Sequence, residues 1–319
     1  MCEKYPVLRN LYLSISMPEC CSLIESAVQC FASDIAVEAL SVDDNNYCKV
    51  KLCVKASKVE IVALFIDRIS MSLGPGLLLN VDLEPVKEAV PKMETYLQRV
   101  AIEDSQFYSK LSCAVSFVLD CLSRYRITEV ALSFNGGKDC TVLLHILRYA
   151  MEKLFNVKDC SNLCAFYIKP QSTFPEVEDF VVRSASRYGL KLLQYEGEIK
   201  KALFEFKAEH CRRKFVFMGS RATDPGHDEA TKIAPTDPGW PHFVLLKPLL
   251  DWSYSDIWKF LRDLCIPYCV LYDRGFTSLG SKDSCSPNPW LAVPDGNGGC
   301  NYKPAYMLSD PAKERFART

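Results

Sequence analysis

From residue 129 onward, short apolar runs alternate with segments whose apolar residues recur at helical spacing. Short apolar runs between turn residues are typical of buried strands, and spacings of three and four residues are typical of helices. The pattern predicts strands over 129–134, 163–168, 190–195 and 215–218, and helices over 141–155, 175–188 and 199–209. Strands separated by helices favour a mainly parallel sheet with helices on both faces. The sequence therefore predicts an α/β fold with a doubly wound sheet.

The first 84 residues follow a different pattern. Alternation over 8–16 and 47–55 predicts two strands, helical spacing predicts helices over 18–31 and 57–73, and Gly74-Pro75-Gly76 closes the segment. This indicates a small α+β unit over residues 1–84, with no chemical motif, ahead of a larger domain over 85–319.

Three further features lie outside the alternating region. A long amphipathic helix is predicted over about 92–127. Ser253 and Asp256 form a capping box that begins another helix. The last 40 or so residues are rich in Gly, Pro, Asn and Ser, and we expect them to be loops.

Composition excludes several classes of protein. The 38 basic and 39 acidic residues leave a net charge of −1, so no overall basic field favours nucleic acid as a partner. No apolar run approaches the ~20 residues that span a membrane, and the N-terminus does not follow the order of a signal peptide. We expect a cytoplasmic protein, with a mitochondrial or nuclear pool left open. The 16 cysteines are scattered and only four histidines accompany them, so we expect reduced structural thiols.

The segment Ser133-Phe134-Asn135-Gly136-Gly137-Lys138-Asp139 joins a predicted strand to a predicted helix. A glycine-rich turn that opens a helix leaves backbone N–H groups unpaired near one point, where the helix dipole favours an anion. Lys138 adds a positive charge, so we expect this turn to bind the phosphates of a nucleotide. A tight turn in which glycine only relieves crowding is the alternative. The spacing is not that of the Walker motif.

Two more segments follow strands of the predicted sheet, Lys169 and the loop from Gly219 to Asp224. Parallel sheets bind ligands at the carboxyl ends of their strands, where these segments and the glycine-rich turn all fall. Arg221 and Asp224 can hold a phosphate and a metal or polar ring. The alternative is that Arg221 and Asp224 form a solvent-exposed ion pair in a loop and bind no ligand.

Residues 235–241 contain three prolines, Asp237 and Trp240. Proline stiffens the loop, and an aromatic side chain beside a carboxylate suits a flat heteroaromatic ring. A stiff surface turn with Trp240 plugging the core is the competing interpretation.

Arg315 and Arg318 share a face if their segment is helical, and can then fork onto one phosphate. The alternative is that Arg315 and Arg318 are exposed to solvent and bind no phosphate. Asp139 either complements the helix dipole or orients the loop and holds Mg²⁺ through water.

The glycine-rich turn resembles the Ser-Gly-Gly-x-Asp-Ser pyrophosphate loop of enzymes that split ATP between its α and β phosphates. It departs from that loop at Phe134 and Asn135, which precede the glycines, and at Cys140, which replaces the final serine. Residues 128–319 resemble the eukaryotic FAD synthase (FMN adenylyltransferase) family of the phosphoadenylylsulfate-reductase-like group. The motifs that carry this resemblance are SFNGGKDC, FPEVEDF, GSRATDP, PTDPGWP, PLLDWSYSDIW, PYCVLYDRGFTSLGS and RFART.

The resemblance implies an adenine nucleotide α-hydrolase-like fold and transfer of AMP from ATP to FMN, which gives FAD and pyrophosphate. Its implied cofactor is Mg²⁺, held by Asp139 through water, and its partners are ATP, FMN and apo-flavoproteins that receive FAD. The implied catalytic residues are Asn135, Lys138, Asp139, Asp224 and Asp237. The implied binding residues are Leu132, Ser133, Gly136, Gly137, Ile168, Ser220, Arg221, Pro238, Gly239, Trp240, Leu246, Arg315 and Arg318.

Two further expectations come from the resemblance. Residues 1–84 are similar to a remnant of the molybdopterin-binding-like domain of animal forms, which is not expected to be catalytic here. Many members carry a second arginine where this chain has Ala222.

Three other functions use comparable features. A tRNA-modifying enzyme would need a basic RNA-binding surface and, in thiolating forms, paired cysteines, and the sequence shows neither. A phosphoadenylylsulfate reductase would need a late nucleophilic cysteine, and Cys285 and Cys300 lie in no motif of that kind. An inactive flavin- or nucleotide-binding regulator would be expected to lose the charged residues that this chain keeps.

Overall fold

The computed structural model describes residues 5–42, 45–74, 76–79, 81–225, 231–294 and 299–318. The chain divides into two compact units, Met1–Leu83 and Glu84–Thr319. No helix within the described ranges has the length and apolarity needed to cross a bilayer.

The first unit is a four-stranded antiparallel sheet with strand order β2-β3-β1-β4 and two helices. Its elements are β1 (Val7–Leu13), α1 (Met17–Gln29), β2 (Ile35–Ser41), β3 (Val50–Ala56), α2 (Val59–Leu73) and β4 (Leu78–Leu79). Its core is apolar and includes Leu13, Val54, Phe65 and Ile69. The sequence missed β2, because only Ile35 of its seven residues is buried and alternation is faint. That this unit is a non-catalytic remnant stays a prediction.

The second unit is built on a six-stranded sheet with strand order β7-β6-β5-β8-β10-β9. Its strands are β5 (Val130–Ser133), β6 (Cys164–Lys169), β7 (Lys191–Glu196), β8 (Phe215–Phe217), β9 (Ile233–Pro235) and β10 (Val244–Leu246), followed by the separate pair β11 (Ala292–Pro294) and β12 (Cys300–Tyr302). Its helices are α3 (Ala89–Glu103), α4 (Ser105–Arg124), α5 (Lys138–Phe155), α6 (Pro175–Tyr188), α7 (Ile199–Glu209) and α8 (Tyr254–Asp263). Within the six-stranded sheet β9 pairs antiparallel with β10 and the other neighbouring strands pair parallel, whereas β11 and β12 pair antiparallel with each other. The predicted α/β fold with a mainly parallel sheet is confirmed.

Four details differ from the sequence prediction. The long helix over 92–127 is two helices, because Asp104 leaves helical geometry (φ −152°) and its side chain caps α4 by accepting the N–H of Phe107. Helix α5 begins at Lys138, three residues earlier than predicted. Strand β9 ends inside the proline-rich stretch, where Pro235 is tolerated because β9 is an edge strand. The C-terminal region contains β11, β12 and several short 3₁₀ turns.

The connections of the sheet open a crevice between β5 and β8. From β5 the chain proceeds through α5 to β6 on one side, whereas from β8 it proceeds to β9 and then β10 on the other. Ligands bind at such switch points, outside the carboxyl ends of the strands. Gly219 lets the turn after β8 pack directly on the first turn of α5, since a Cβ there would lie 2.7 Å from the backbone nitrogen of Cys140. The loop 219–224 is thereby brought beside Asp139.

Candidate active site

A polar pocket of about 180 Å³ occupies this crevice. Its walls are the turn after β5, the loop after β8, a turn around Tyr272 and the C-terminal segment. The residues that line it are Ser133, Asn135, Gly137, Lys138, Asp139, Cys140, Met218, Gly219, Ser220, Arg221, Asp224, Tyr272, Ser278, Leu279, Glu314, Arg315 and Arg318. Segments far apart along the chain therefore meet here, and Lys138 and Glu314, which are in contact, are 176 residues apart.

Four of these side chains form a closed ring of alternating charge, which we call the charged ring: Lys138, Asp139, Arg221 and Glu314. Lys138 Nζ lies 3.1 Å from Asp139 Oδ2, and Arg221 Nε lies 2.7 Å from Asp139 Oδ1. Glu314 Oε1 lies 2.5 Å from Lys138 Nζ and 2.6 Å from Arg221 Nη2. Each carboxylate thus bridges both cations. Asp224 lies outside the ring and accepts the backbone N–H of Arg221 at 2.8 Å.

The charged ring is buried, which strengthens its electrostatic interactions. The side chains of Lys138 and Arg221 are 3% and 2% exposed. Burial by itself would lower the pKa of Arg221, but Asp139 and Glu314 outweigh it and raise the pKa. Lys138 Nζ also lies 5.3 Å and 5.9 Å from the ring centroids of Tyr254 and Tyr272, within cation–π range. Arg221 therefore stays charged in the pocket.

The backbone of the glycine-rich turn differs from the prediction. Gly137 N–H donates to Asn135 Oδ1 at 3.0 Å, and Lys138 N–H donates to Tyr272 Oη at 3.0 Å. The expectation that these two N–H groups are unpaired is wrong, because the Asn135 side chain folds back onto its own turn and a distant tyrosine reaches the helix start. Gly136 has a φ of +73°, and a Cβ there would lie 2.8 Å from Val181, so this position requires glycine.

Cys140 occupies the position of the final serine in the Ser-Gly-Gly-x-Asp-Ser pyrophosphate loop that this turn resembles. Its thiol lies 2.8 Å from Asn135 Oδ1 and 3.1 Å from the Gly137 carbonyl oxygen, so it takes part in fixing the turn. Burial raises the pKa of Cys140 to about 12. The thiol is therefore neutral near pH 7 and unsuited to nucleophilic chemistry. All described cysteines are free thiols.

A second, more apolar pocket of about 470 Å³ adjoins the first. The two pockets share Ser133, Asn135, Gly137, Met218, Leu279 and Arg318. The second pocket adds aromatic and aliphatic side chains, among them Phe166, Ile168, Val177 and Ile199. A charged compartment that opens into an apolar one suits a nucleotide, which has phosphates at one end and a ring system at the other.

The two C-terminal arginines reach the polar pocket together. Arg318 Nη1 donates to Ser278 Oγ at 3.2 Å, and Arg318 lines both pockets. Gly280 leaves room for this guanidinium, since a Cβ there would lie 2.6 Å from Arg318 Nη2. Arg315 is half-buried and lines the polar pocket. Both arginines therefore line the polar pocket, although their segment is a turn and not the helix on which the predicted shared face depended.

The structure brings most of the predicted site residues to these pockets, but not all of them. Leu132, Gly136 and Leu246 are buried, and none of them lines the two pockets. Asp237, Pro238 and Gly239 are exposed and also lie outside them. Trp240 is only half-buried, with Lys200 Nζ 5.8 Å from its ring centroid, so it does not plug the core.

Sequence reasoning missed two central residues, Glu314 and Tyr272. Glu314 is a single acid near the end of the chain, and no spacing distinguishes it from a solvated surface residue. Tyr272 lies in a segment that carries the family resemblance, yet nothing local marks its hydroxyl as a partner of Lys138, 134 residues away.

Residues 129–287 match the family model of the phosphoadenosine phosphosulfate reductase domain. A probable FAD synthase of Caenorhabditis elegans is 36% identical over 277 residues, which is 86% of this chain and 53% of the relative. A probable FAD synthase of Schizosaccharomyces pombe is 38% identical over 213 residues, 66% of this chain and 79% of the relative. The chain thus spans about half the length of the nematode relatives.

Crystal structures of Candida glabrata FMN adenylyltransferase have a similar fold. The complex with FMN and the ATP analogue AMPCPP has a TM-score of 0.67 at 26% identity, and covers 74% of this chain and 96% of that one. The complex with FAD and inorganic pyrophosphate gives the same values.

The fold and the pocket at its switch point define an α/β domain of the phosphoadenosine phosphosulfate reductase type. Within that class, the chain belongs to the eukaryotic FAD synthase family. The family predicted from the sequence motifs is confirmed.

Proposed function

We propose that this protein transfers AMP from ATP to FMN and releases FAD and pyrophosphate. One observation carries the proposal. The buried Lys138 and Arg221, together with Arg315 and Arg318, line a polar pocket that opens into an apolar one at the switch point of the sheet. The similarity to FMN adenylyltransferase, which has been crystallised with FMN and an ATP analogue and with FAD and pyrophosphate, supports it.

In this reaction an FMN phosphate oxygen attacks the α-phosphorus of ATP. The bond from the α-phosphorus to the oxygen that bridges to the β-phosphate breaks, and that oxygen leaves with pyrophosphate. Two anions must approach, so the main demands are charge neutralisation and in-line alignment. A phosphate monoester is largely dianionic near pH 7, because its second pKa is about 6. No general base is required.

The charged pocket residues divide this work. Lys138 and Arg221 face the leaving pyrophosphate, and Arg221 Nη1, which is buried without a hydrogen-bond partner among the described residues, is free to donate to it. Arg315 and Arg318 hold the phosphates of flavin or product. Asn135 keeps the turn in shape through Gly137 and Cys140, and Asp224 fixes the backbone at Arg221.

Asp237 and Trp240, with Pro238 and Gly239 between them, are proposed to bind the isoalloxazine ring. Asp237 is exposed and available to a ligand, and the half-buried Trp240 ring offers an apolar face. This assignment rests on the family resemblance.

Mg²⁺ is a proposed cofactor. No group of three or more metal-ligating side chains occurs among the residues that the structure describes. Asp139 has a cation at each carboxylate oxygen, so the chain alone does not offer a complete site. This fits an ion that is held chiefly by substrate phosphates and touches one protein carboxylate through water, which is usual for Mg²⁺.

Cytoplasmic location and hand-over of FAD to apo-flavoproteins are also proposals, and both come from the sequence. Imaging of the tagged protein in cells tests the first. Transfer of FAD to an apo-enzyme in the presence of a flavin trap tests the second.

The decisive experiment incubates purified protein with FMN, ATP and Mg²⁺ and separates the products by chromatography. FAD and pyrophosphate should appear in equal amounts. Lys138→Met should lower the rate at least about 100-fold. The matched control is Lys153→Met on the same helix, whose side chain is 44% exposed and pairs with Glu94. This variant should retain the wild-type rate.

Two other results would contradict the proposal. ATP consumption that depends on tRNA would indicate a tRNA-modifying enzyme, and tight FMN binding without turnover would indicate an inactive regulator. In the same assay, Asp237→Ala should raise the KM for FMN.

A further inference from the structure

Glu314 stands in a place where a phosphate-binding site would not be expected to hold a carboxylate. Its two oxygens lie 2.6 Å and 2.8 Å from Arg221 Nη2, and Oε1 also lies 2.5 Å from Lys138 Nζ. The side chain is 10% exposed and occupies a wall of the polar pocket. The carboxylate therefore contacts both buried cations that the incoming phosphates need.

The backbone at Glu314 is anchored by two buried polar residues, Thr277 and Asn288. Thr277 Oγ1 donates to the Glu314 carbonyl oxygen at 2.5 Å, while Asn288 Nδ2 donates to Thr277 Oγ1 at 2.9 Å and to the Lys313 carbonyl oxygen at 2.8 Å. Both residues are at most 1% exposed. Buried hydrogen bonds of this kind are costly to break. Glu314 is thus a fixed part of the pocket and not a loose side chain that folded into it.

The charges of the ring balance. Lys138 and Arg221 contribute two positive charges, and Asp139 and Glu314 contribute two negative charges. Without Glu314 the ring itself would carry an excess positive charge in a buried site, where charge interactions are strong. Asp224, whose Oδ1 lies 3.5 Å from Arg221 Nη2, would offset that charge at a longer distance than Glu314 does. Such a site would bind pyrophosphate tightly and release it slowly, although each catalytic cycle requires release.

We propose that Glu314 is a positioning residue with two effects: it holds Lys138 and Arg221 in place, and it limits how tightly they bind pyrophosphate. The proposal rests on the proposed function, because it assigns the charged ring to the leaving group. Glu314 keeps the cations oriented between turnovers and offsets enough of their charge for pyrophosphate to leave.

The test measures pyrophosphate binding to the full chain by isothermal titration calorimetry, together with the rate of FAD formation. Glu314→Gln should bind pyrophosphate at least about tenfold more tightly than wild type, which corresponds to about 1.4 kcal/mol. Its kcat should fall, because product release slows and the cations lose a partner. Glu314→Asp keeps the charge and should bind pyrophosphate within about threefold of wild type, a difference under about 0.7 kcal/mol.

Glu152 provides the matched control. It is also buried and also bridges two cations, with Arg148 Nη2 and Lys158 Nζ each 2.7 Å from its carboxylate oxygens, but it lies away from the pocket. Glu152→Gln should lower the melting temperature and leave pyrophosphate affinity unchanged. Glu314→Met, with an apolar side chain of similar length, is a second variant with the same expected tightening, for use if Glu314→Gln does not fold.

Unchanged or weaker pyrophosphate binding by the folded Glu314 variants would overturn the inference, even if the wild-type protein makes FAD. If the wild type makes no FAD but Glu314→Gln still binds pyrophosphate more tightly, the proposed function is wrong and the role of Glu314 as counter-ion stands. The two proposals therefore fail separately.

Discussion

Arg221 is the residue on which the geometry of the site depends most. Its guanidinium contacts Asp139 through Nε and Glu314 through Nη2, and its backbone N–H is held by Asp224. A guanidinium is planar and its donors point in fixed directions, so Arg221 can hold two carboxylates and still direct Nη1 at a ligand, whereas an ammonium group is a point charge on a flexible stem. The substitution of lysine at this position is therefore not conservative.

We expect Arg221→Lys to reduce kcat/KM for FAD formation about 100-fold, the cost typical of losing one preorganised donor to transition-state charge. The protein should remain folded, because the positive charge is kept. Steady-state kinetics together with thermal melting tests this. A kcat/KM within about threefold of wild type, a difference of about 0.7 kcal/mol, would show that the planar guanidinium of Arg221 is not needed for catalysis.

At the scale of elements, single residues decide where helices begin and which elements meet. Asp104 divides one long amphipathic pattern into α3 and α4, and its side chain accepts the N–H of Phe107. Buried Phe107 then packs edge-on against Trp252, with ring centroids 5.4 Å apart. The cap thus sets the direction of a helix that covers the core of the second unit.

Asp104→Ala should lower the free energy of unfolding by about 1 kcal/mol, the usual contribution of an N-cap side chain. Urea denaturation measures the change. Asp104→Asn retains an oxygen that can accept the same hydrogen bond and should stay close to wild type. An equal loss in both variants would show that the charge, and not the cap, is responsible.

At the scale of the whole molecule, buried thiols link stability to pH. Four cysteines on separate elements and loops have a pKa raised by burial to about 12, from a usual value of 9: Cys121, Cys140, Cys160 and Cys269. Above pH 9 these thiols lose protons in the unfolded chain but keep them in the folded one. The unfolded state then binds fewer protons, so stability falls as pH rises.

We therefore expect the free energy of unfolding in reducing buffer to decrease steadily between pH 9 and pH 12, by at most about 1.4 kcal/mol per pH unit for each such thiol. Cys160→Ser removes one titrating group and should make the decrease shallower. Cys211→Ser, at an exposed cysteine, should leave the slope unchanged. Identical slopes in all three proteins would contradict the role of buried thiols.

The amino-acid sequence by itself determined the alternation of strands and helices, the glycine-rich turn with Lys138 and Asp139, and the family. These are local properties, because periodicity, turn chemistry and sequence motifs each depend on residues that are close together in the sequence. Tertiary structure alone decided that Glu314 closes the charged ring, that Tyr272 pairs the Lys138 amide, and that residues 237–240 lie outside the two pockets. Such contacts join residues far apart in the chain, and only the topology of the sheet and the packing of the C-terminal segment bring them within hydrogen-bond distance.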